Sequence, residues 1–283
     1  AKNHISFYSY FHESYPERLK HIDSPPKRLF VKGKLPDASK LSVAVVGARN
    51  CTPYGRDMAR MFSYRLAAAG VFVISGMALG IDGWGHQGAL EAGGETYAVL
   101  GSGVMRCYPS CHQNLYESIV RHGGVISEFP VYARAKPVFF PMRNRIISGL
   151  SDGILVVEAR EKSGSLITAD AALEQGKDVF VIPGRIGDEL SVGCNRLIRM
   201  GAVPVLTPDD ILDYYGVKTS DGSQNVNETE QKILAFLGGK TMHMDEISAG
   251  LSLPMTQLLK CMIVLQKKGY VIEVGRNFFM KKI

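Results

Sequence analysis

The fold is constrained most by two segments. In each of them a run of apolar residues is followed by small residues and then by a polar turn. They are Val43–Arg49 and Val73–Asp82. Near-continuous apolar runs without alternation are typical of strands that are covered on both faces. A turn of small residues between such a strand and a helix leaves backbone N–H groups free to bind a phosphate. The sequence therefore predicts phosphate-binding turns at Gly47 and at Ser75-Gly76, and Arg49 adds a fixed positive charge to the first of them.

The alternation of short apolar runs with amphipathic stretches continues from Leu41 to about Gly216. Seven runs are predicted to be strands: Ser42–Gly47, Val71–Ser75, Thr96–Leu100, Val125–Glu128, Ile154–Glu158, Val179–Ile182 and Val203–Leu206. The first intervening helix has a capping Thr52 and an initial Pro53. Strands that alternate with helices form a parallel sheet with right-handed crossovers. The predicted fold class is α/β, with an extended Rossmann-like parallel sheet that binds ligands at the carboxyl ends of its strands.

The predicted domain organisation has four parts. Residues 1–40 are expected to be a short, irregular lead-in with one edge strand, and residues 41–215 the Rossmann-like domain. Residues 216–227 are rich in Gly, Ser, Asn and Asp, which indicates a linker. Residues 228–283 contain three helical segments followed by a hairpin around Gly275-Arg276-Asn277, a pattern typical of a small C-terminal winged-helix domain.

Composition sets broad limits on function. The net charge of +6 and the pI near 9.0 are consistent with an acidic partner. The five cysteines are odd in number and scattered, which favours a reducing compartment. No apolar run approaches the roughly 18 to 20 residues of a spanning helix, and no leader pattern opens the chain, so a soluble, cytoplasmic protein without membrane insertion is expected. Cys107, Cys111 and His112 lie close in sequence, but without a CxxC pair or a second cluster we expect isolated thiols and no metal site.

A series of short motifs follows in order from about residue 7 to residue 215. They are Tyr15-Pro16, Val46–Arg49, Tyr54-Gly55, Ser75–Asp82, Tyr108-Pro109, Ser127-Glu128, Phe140–Ile147, Val157–Ala159, Ser163–Thr168 and Ile182–Gly184. In this order the motifs resemble the DprA/Smf family, the DNA-processing proteins of bacterial natural transformation. The chain departs from the family in having Gly85-His86 where Ala-His is usual. Its first 40 residues also leave no room for the N-terminal helical domain that many members carry.

The resemblance implies an extended Rossmann fold that binds single-stranded DNA, forms a homodimer and helps to load the RecA recombinase onto incoming strands. It implies no catalytic activity and no cofactor.

The basic and aromatic residues of these motifs are the first candidates for DNA contacts. Arg49 can bind a phosphate with its guanidinium, or it can form a salt bridge at the sheet edge. Arg143, Asn144 and Arg145 bring two cations and an amide together just after Phe140. Phe140 taken alone suggests a core residue. With the resemblance, it becomes the candidate for stacking a base.

A second group of candidates surrounds a predicted helix start. Ser163, Gly164 and Ser165 precede a helix that contains Thr168, so their hydroxyl and N–H groups can cap the helix or bind an anion. Lys177, directly after Gly176, either adds a cation to this edge or is a solvated lysine at the helix end.

Three other functions compete with DNA binding. A nucleoside monophosphate hydrolase of related fold would need a PGGxGT signature, which is broken at Pro183-Gly184-Arg185, and a dinucleotide-dependent oxidoreductase would need a GxGxxG turn. A duplex-reading transcription factor would need more polar side chains than Lys260, Lys267 and Lys268 offer on the predicted reading helix.

Two acid-containing groups bear on the enzyme alternative. Asp82 and His86 could couple a carboxylate to an imidazole on one helix face, but a helix cap and a histidine bonded between helix and sheet are the simpler interpretation. Glu128 and Glu158 could position the backbone or arginine side chains.

Overall fold

The computed structural model describes residues 4–217, 227–238, 240–267 and 270–281. By its internal contacts the chain divides into two compact units, Ala1–Lys218 and Thr219–Ile283. The predicted division into lead-in, domain, linker and terminal domain stays a prediction, and most of the predicted linker, residues 218–226, lies outside the described residues.

The first unit is a twisted α/β sheet with helices packed on it. Its strands are β1 (Ile5–Ser9), β2 (Arg28–Gly33), β3 (Ser42–Val46), β4 (Phe72–Ser75), β5 (Thr96–Val99), β6 (Gly124–Ser127), β7 (Gly153–Val156), β8 (Asp178–Val181) and β9 (Val203–Pro204). Its helices are α1 (Glu17–Lys20), α2 (Pro53–Ala68), α3 (Ile81–Glu91), α4 (Gln113–His122), α5 (Phe139–Leu150), α6 (Gly164–Glu174), α7 (Val192–Arg199) and α8 (Pro208–Tyr214). Within the described residues these strands form one sheet in the order β1-β2-β6-β5-β4-β3-β7-β8-β9.

The α/β fold class and the parallel sheet are confirmed. Each of the seven predicted strands is present, with ends that shift by one or two residues, and β3 to β9 pair in parallel. The strands are parallel and buried because helices cover both faces, as the unbroken apolar runs require. Helix α2 begins as predicted, with the Thr52 side chain accepting a hydrogen bond from the Gly55 N–H.

The lead-in is where the fold expectation is wrong. It supplies two strands rather than one, and both belong to the main sheet: β1 pairs antiparallel with β2, which pairs antiparallel with β6. Leu29 and Val31 are fully buried and alternate with the less buried Arg28, Phe30 and Lys32, so β2 extends the core.

The order of the strands creates a crevice at one place. From β3 the chain crosses over through β4, β5 and β6 on one side, and β7, β8 and β9 lie on the other side. The crossovers on either side of β3 and β7 therefore diverge, and loops at the carboxyl ends of these two strands leave an opening between them.

In its described residues the second unit contains three helices and a small sheet. They are α9 (Glu228–Leu237), α10 (Met244–Leu251) and α11 (Met255–Lys267), with strands β10 (Met242–His243), β11 (Val271–Gly275) and β12 (Phe278–Lys281) in the order β10-β12-β11. Asn277 adopts a positive φ of 62° in the hairpin turn between β11 and β12, where the sequence predicts a turn. The interpretation as a winged helix stays a prediction, and Lys268 lies outside the described residues.

Across the described residues, no single helix is long and apolar enough to cross a membrane, although the bent pair Met244–Leu251 and Met255–Gln266 passes by length and composition.

Candidate functional site

A cleft of about 580 Å³ lies at the carboxyl ends of β3 and β7. Its walls are the turn after β3, the first half of α5, and the loop that leads into α6. Nine of the predicted site residues line it: Gly47, Arg49, Phe140, Arg143, Asn144, Ser163, Gly164, Ser165 and Thr168. The topology thus brings together two groups of residues that are more than 80 positions apart in sequence.

Arg49 is an exposed cation at the mouth of this cleft. Its guanidinium carbon lies 5.1 Å from the centre of the Phe140 ring, so the cation stacks over an aromatic face. No carboxylate among the described residues lies within ion-pair distance of Arg49. Arg49 therefore forms no salt bridge with the described residues at the sheet edge, and its charge is available to a ligand.

The turns after β3 and β4 use their N–H groups differently from the expectation. The Ala48 N–H donates to the Glu158 carbonyl at 2.8 Å, and the Gly76 N–H donates to an Asp82 carboxylate oxygen at 3.1 Å. These two groups hold the turns in place and are not free for a phosphate. Gly47 is required for close packing, because a Cβ there would lie 2.6 Å from the Ile81 side chain.

Ser75 and Gly76 do not line the main cleft; Gly76 lines a small adjoining pocket with Arg49, Phe140 and Arg143. The Ser75 hydroxyl is buried and donates to the Val45 carbonyl at 2.6 Å. Gly76 makes room for the Arg143 guanidinium, which a Cβ at this position would overlap. Both residues support the site from beneath, and a DNA contact of either one stays a prediction.

Arg143 is a buried charge in the cleft floor, not the exposed cation that the sequence suggests. Its side chain is packed so that only 4% of the residue is exposed, and the guanidinium donates to the Val99 carbonyl. Burial, with Arg49 nearby, lowers the pKa of Arg143 to about 10, while Asp82 opposes this shift. Burial also raises the pKa of Asp82, against the effect of Arg143 and of two backbone N–H groups. Arg143 therefore contributes positive electrostatic potential to the cleft rather than a flexible side chain that could contact a ligand.

The start of α6 opens onto the cleft. Asn144 ties it to α5 by donating from its amide to the Gly164 carbonyl at 3.2 Å. The Ser163 hydroxyl accepts from the Ser165 N–H at the long distance of 3.4 Å and lies 2.7 Å from the Ser165 hydroxyl. A Cβ at Gly164 would meet no atom within 4 Å. The capping bond is long, and the positive end of the helix dipole lies at the cleft, which Ser163, Gly164 and Ser165 line.

Two predicted residues lie elsewhere. Arg145 forms a two-point ion pair with Glu128 at 2.9 and 2.7 Å, because residues two apart on a helix point in nearly opposite directions and Arg143 occupies the cleft side. Lys177 lies near Asp152, Arg18 and Asp178, at the opposite edge of the sheet, and burial lowers its pKa. It follows the carboxyl end of α6, which runs back across the sheet away from the cleft.

Besides Asp82, the polar or aromatic lining residues that were not predicted as site residues are Asn50, Tyr108, Arg160 and Lys162. The Tyr108 ring is half exposed and lies 5.5 Å from the Phe140 ring, so the two aromatic side chains form one wall. Arg160 and Lys162 are exposed and lie in the loop just before Ser163. Two cations directly before a capping serine are the sequence pattern that indicates this part of the cleft. Among the lining residues, Arg49, Arg143, Arg160 and Lys162 carry positive charge and Asp82 alone carries a carboxyl group.

The acid and imidazole groups considered for catalysis form hydrogen bonds that stabilise the fold. Thr96 donates its hydroxyl proton to the Val73 carbonyl, so His86 must donate from Nδ1 to Thr96 across 2.6 Å. Burial is the main cause that lowers the pKa of His86 to about 3. This is the simpler interpretation of the Asp82 and His86 pair, since one bonds to a turn and the other to β5.

Glu158 and the residues near Cys107 were the other candidates for a catalytic or metal site. The Glu158 carboxylate accepts from the Thr52 N–H at 2.9 Å and from the Thr52 hydroxyl, which fixes the start of α2. In the described ranges no group of three or more His, Cys, Asp or Glu side chains could hold a metal ion, Cys107, Cys111 and His112 included.

Comparison with known proteins places this architecture. Residues 6–216 match the family model described as DNA recombination-mediator protein A. The chain is 38% identical over 279 residues to the protein Smf of Escherichia coli strain K12, which covers 94% of this chain and 75% of that protein.

Two solved structures share the fold. One is DNA processing protein A from Streptococcus pneumoniae, with a TM-score of 0.70 and 40% identity, covering 74% of each chain. The other is DNA processing protein A from Helicobacter pylori, whose structure describes a single-stranded DNA binding mode, with a TM-score of 0.66 and 27% identity over 76% of this chain and 98% of that one. The resemblance seen in the sequence motifs is confirmed.

Proposed function

Since this chain belongs to the DNA recombination-mediator protein A family, which includes the DprA and Smf proteins, we propose that its cleft binds single-stranded DNA. The observation that carries the proposal is the stacking of the Arg49 guanidinium on the Phe140 ring beside the open start of α6. Non-specific binding of a single strand needs cations that follow the backbone and aromatic faces on which bases stack. This cleft offers both, and the helix dipole adds a phosphate position.

Each part of the cleft has a distinct role in this proposal. Arg49 and Lys162 contact phosphates, and one phosphate approaches the backbone closely at Gly164, where there is open space at the start of α6. Phe140 and Tyr108 stack on a base. The buried Arg143 raises the potential of the floor without needing to touch DNA. Recognition by backbone and ring faces reads no sequence, so binding is independent of sequence.

The protein acts without catalysis in this proposal. The support is that Asp82, His86, Glu128 and Glu158 each have a hydrogen-bonding role in the fold. Bound to incoming strands in the cytoplasm as a homodimer, the protein protects them and helps to load the RecA recombinase during natural transformation. Sedimentation at several concentrations tests the dimer, and RecA filament formation on strands coated with single-strand-binding protein tests the loading.

The central experiment compares single-stranded and duplex oligonucleotides of one sequence by fluorescence anisotropy at two salt concentrations. We expect tighter binding of the single strand, little dependence on its sequence, and a steep decrease of affinity with salt as counterions are released. Equal affinity for the single strand and the duplex contradicts the proposal.

A further inference from the structure

A second cavity, separate from the cleft, lies beside the lead-in strands. We call it the N-terminal groove; it is formed by residues 10–11, 24–28 and 128–130 together with Arg145, and its volume is about 1060 Å³. Phe11 is 93% exposed and stands edge-on to the Tyr10 ring at 5.3 Å between centroids. A large ring with almost all of its surface in water, beside a second ring and two prolines, marks an interaction surface rather than a core.

The charge of the groove favours an acidic occupant. Arg145 and Glu128 neutralise each other, and Glu128 is the only acidic residue among those that line the groove. Lys27 and Arg28 are exposed, and neither has a carboxylate within ion-pair distance in the described part of the chain. Exposed rings flanked by unpaired cations are the features that bind single-stranded nucleic acid.

Packed rings at the start of α5 connect the wall of the groove to the wall of the cleft. Phe140 faces the cleft, and its neighbour Phe139 stacks on Phe129 with ring centroids 4.0 Å apart and planes at 19°. Phe129 in turn lines the N-terminal groove. The Lys136 ammonium nitrogen lies 5.7 Å from the centre of the Phe139 ring, so a cation lies beside the stacked rings of Phe139 and Phe129.

We propose that a single DNA strand leaving the cleft passes the half-buried Phe139, which packs on the buried Phe129, and binds in the N-terminal groove, where a base stacks on Phe11 and phosphates contact Lys27 and Arg28. The inference rests on the proposed function of the cleft. A single strand fits better than a duplex, because stacking on Phe11 needs an unpaired base face. The groove extends the footprint of the protein beyond the nucleotides held in the cleft.

The test is a series of oligothymidylates from about 4 to about 16 nucleotides, the range of site sizes of single-strand-binding domains, measured by fluorescence anisotropy. Phe11→Ala should leave the affinity for the shortest strands unchanged and lower that for the longest at least about five-fold, the smallest effect expected for one lost base stack. The double variant Lys27→Glu with Arg28→Glu should lower the salt dependence for long strands only. Because Phe11 is almost fully exposed, the melting temperature should not change.

Matched controls are Tyr64→Ala, an exposed ring on α2, and Lys40→Glu, an exposed lysine outside both cavities. Both should bind strands of every length like the wild type. Photo-crosslinking of a long strand that carries 5-iododeoxyuridine should also label Tyr10 or Phe11.

The outcomes separate this inference from the proposed function. Wild-type binding of long strands by Phe11→Ala, or equal weakening at every length, overturns the groove. Wild-type affinity combined with a loss of RecA loading in the same variant also overturns it and assigns the surface to a protein partner. Wild-type binding by Arg49→Glu at all lengths would instead refute the cleft.

Discussion

The guanidinium of Arg49 and the ring of Phe140 are 91 positions apart in sequence and stack at 5.1 Å across the mouth of the cleft. The stack joins the turn after β3 to the first turn of α5. In the proposed function, Arg49 contacts a phosphate and the Phe140 ring stacks on a base. The following predictions separate the contributions of the two residues from those of their neighbours.

Arg49→Glu should weaken single-strand binding by about ten-fold or more, because a contact between a charged donor and a phosphate is lost and a repulsive charge appears. The slope of log affinity against log salt should decrease in magnitude by about 1. Arg121→Glu, an exposed arginine on α4, is the control that changes net charge equally. Titrations at several salt concentrations measure both quantities, and equal effects of the two variants would show attraction by net charge alone.

Phe140→Ala should cost about 1 to 3 kcal/mol of binding free energy with an unchanged salt slope, because stacking is lost but no charge is removed. Phe139→Ala is the matched control for the shortest strands, since that ring stacks on Phe129 rather than facing the cleft. Anisotropy titrations and thermal melting together test the pair. A Phe140→Ala protein with full affinity and a lowered melting temperature would identify Phe140 as a core residue.

Gly164→Ala should weaken DNA binding without destabilising the fold. The added Cβ meets no atom of the protein, so it projects into the space where a phosphate would approach the helix start. Gly187→Ala, where a Cβ also meets nothing, lies outside the cleft and should bind DNA normally. If both variants bind like the wild type in titrations, no phosphate comes close to the backbone at Gly164.

Stability should decrease with acid through His86. The pKa of His86 is lowered from 6.5 to about 3, so the unfolded state binds a proton that the folded state does not in this range. The free energy of unfolding should therefore fall as the pH falls below about 6.5, by up to about 1.4 kcal/mol per pH unit from this group. Trp84, the single tryptophan, lies on the same helix and reports denaturant unfolding by its fluorescence.

His86→Gln removes this titration while keeping a donor for Thr96, so its stability should depend less on pH. His4→Gln, at an exposed position, should behave like the wild type. An unchanged pH dependence in His86→Gln would show that other groups control acid unfolding.

A chain that ends at Val217 should fold and keep most of its single-strand affinity. The lining of the cleft lies between Val46 and Leu190, and the cut preserves Tyr215, whose hydroxyl donates to Asp178 at 2.9 Å. Anisotropy on this chain and on residues 227–283 with one labelled oligonucleotide compares the two parts. Binding that stays only with the smaller fragment would place the main DNA site there.

Local pattern was enough to predict the elements of the sheet. The runs from Ser42 to Val46 and from Gly153 to Val156 are apolar throughout, and such runs fit a strand that is buried on both faces. Thr52 followed by Pro53 marked the start of α2 for a similarly local reason. The parallel arrangement, and the expectation of a site at the carboxyl ends of the strands, followed from the alternation of strands and helices, but the pair of strands that flanks the cleft did not.

Only the tertiary structure decided which side chains share the cleft. Arg143 and Arg145 look alike as candidates in the sequence. Because they point to different sides of α5, Arg143 is buried in the cleft floor and Arg145 forms an ion pair with Glu128. Tyr108 meets Phe140 only because the loop after β5 folds back over the start of α5. The sequence alone determined the strands, the helices and the parallel arrangement of the sheet, since these depend on local periodicity. The burial of Arg143 and the partners of each charge depend on packing between distant segments, which no local pattern contains.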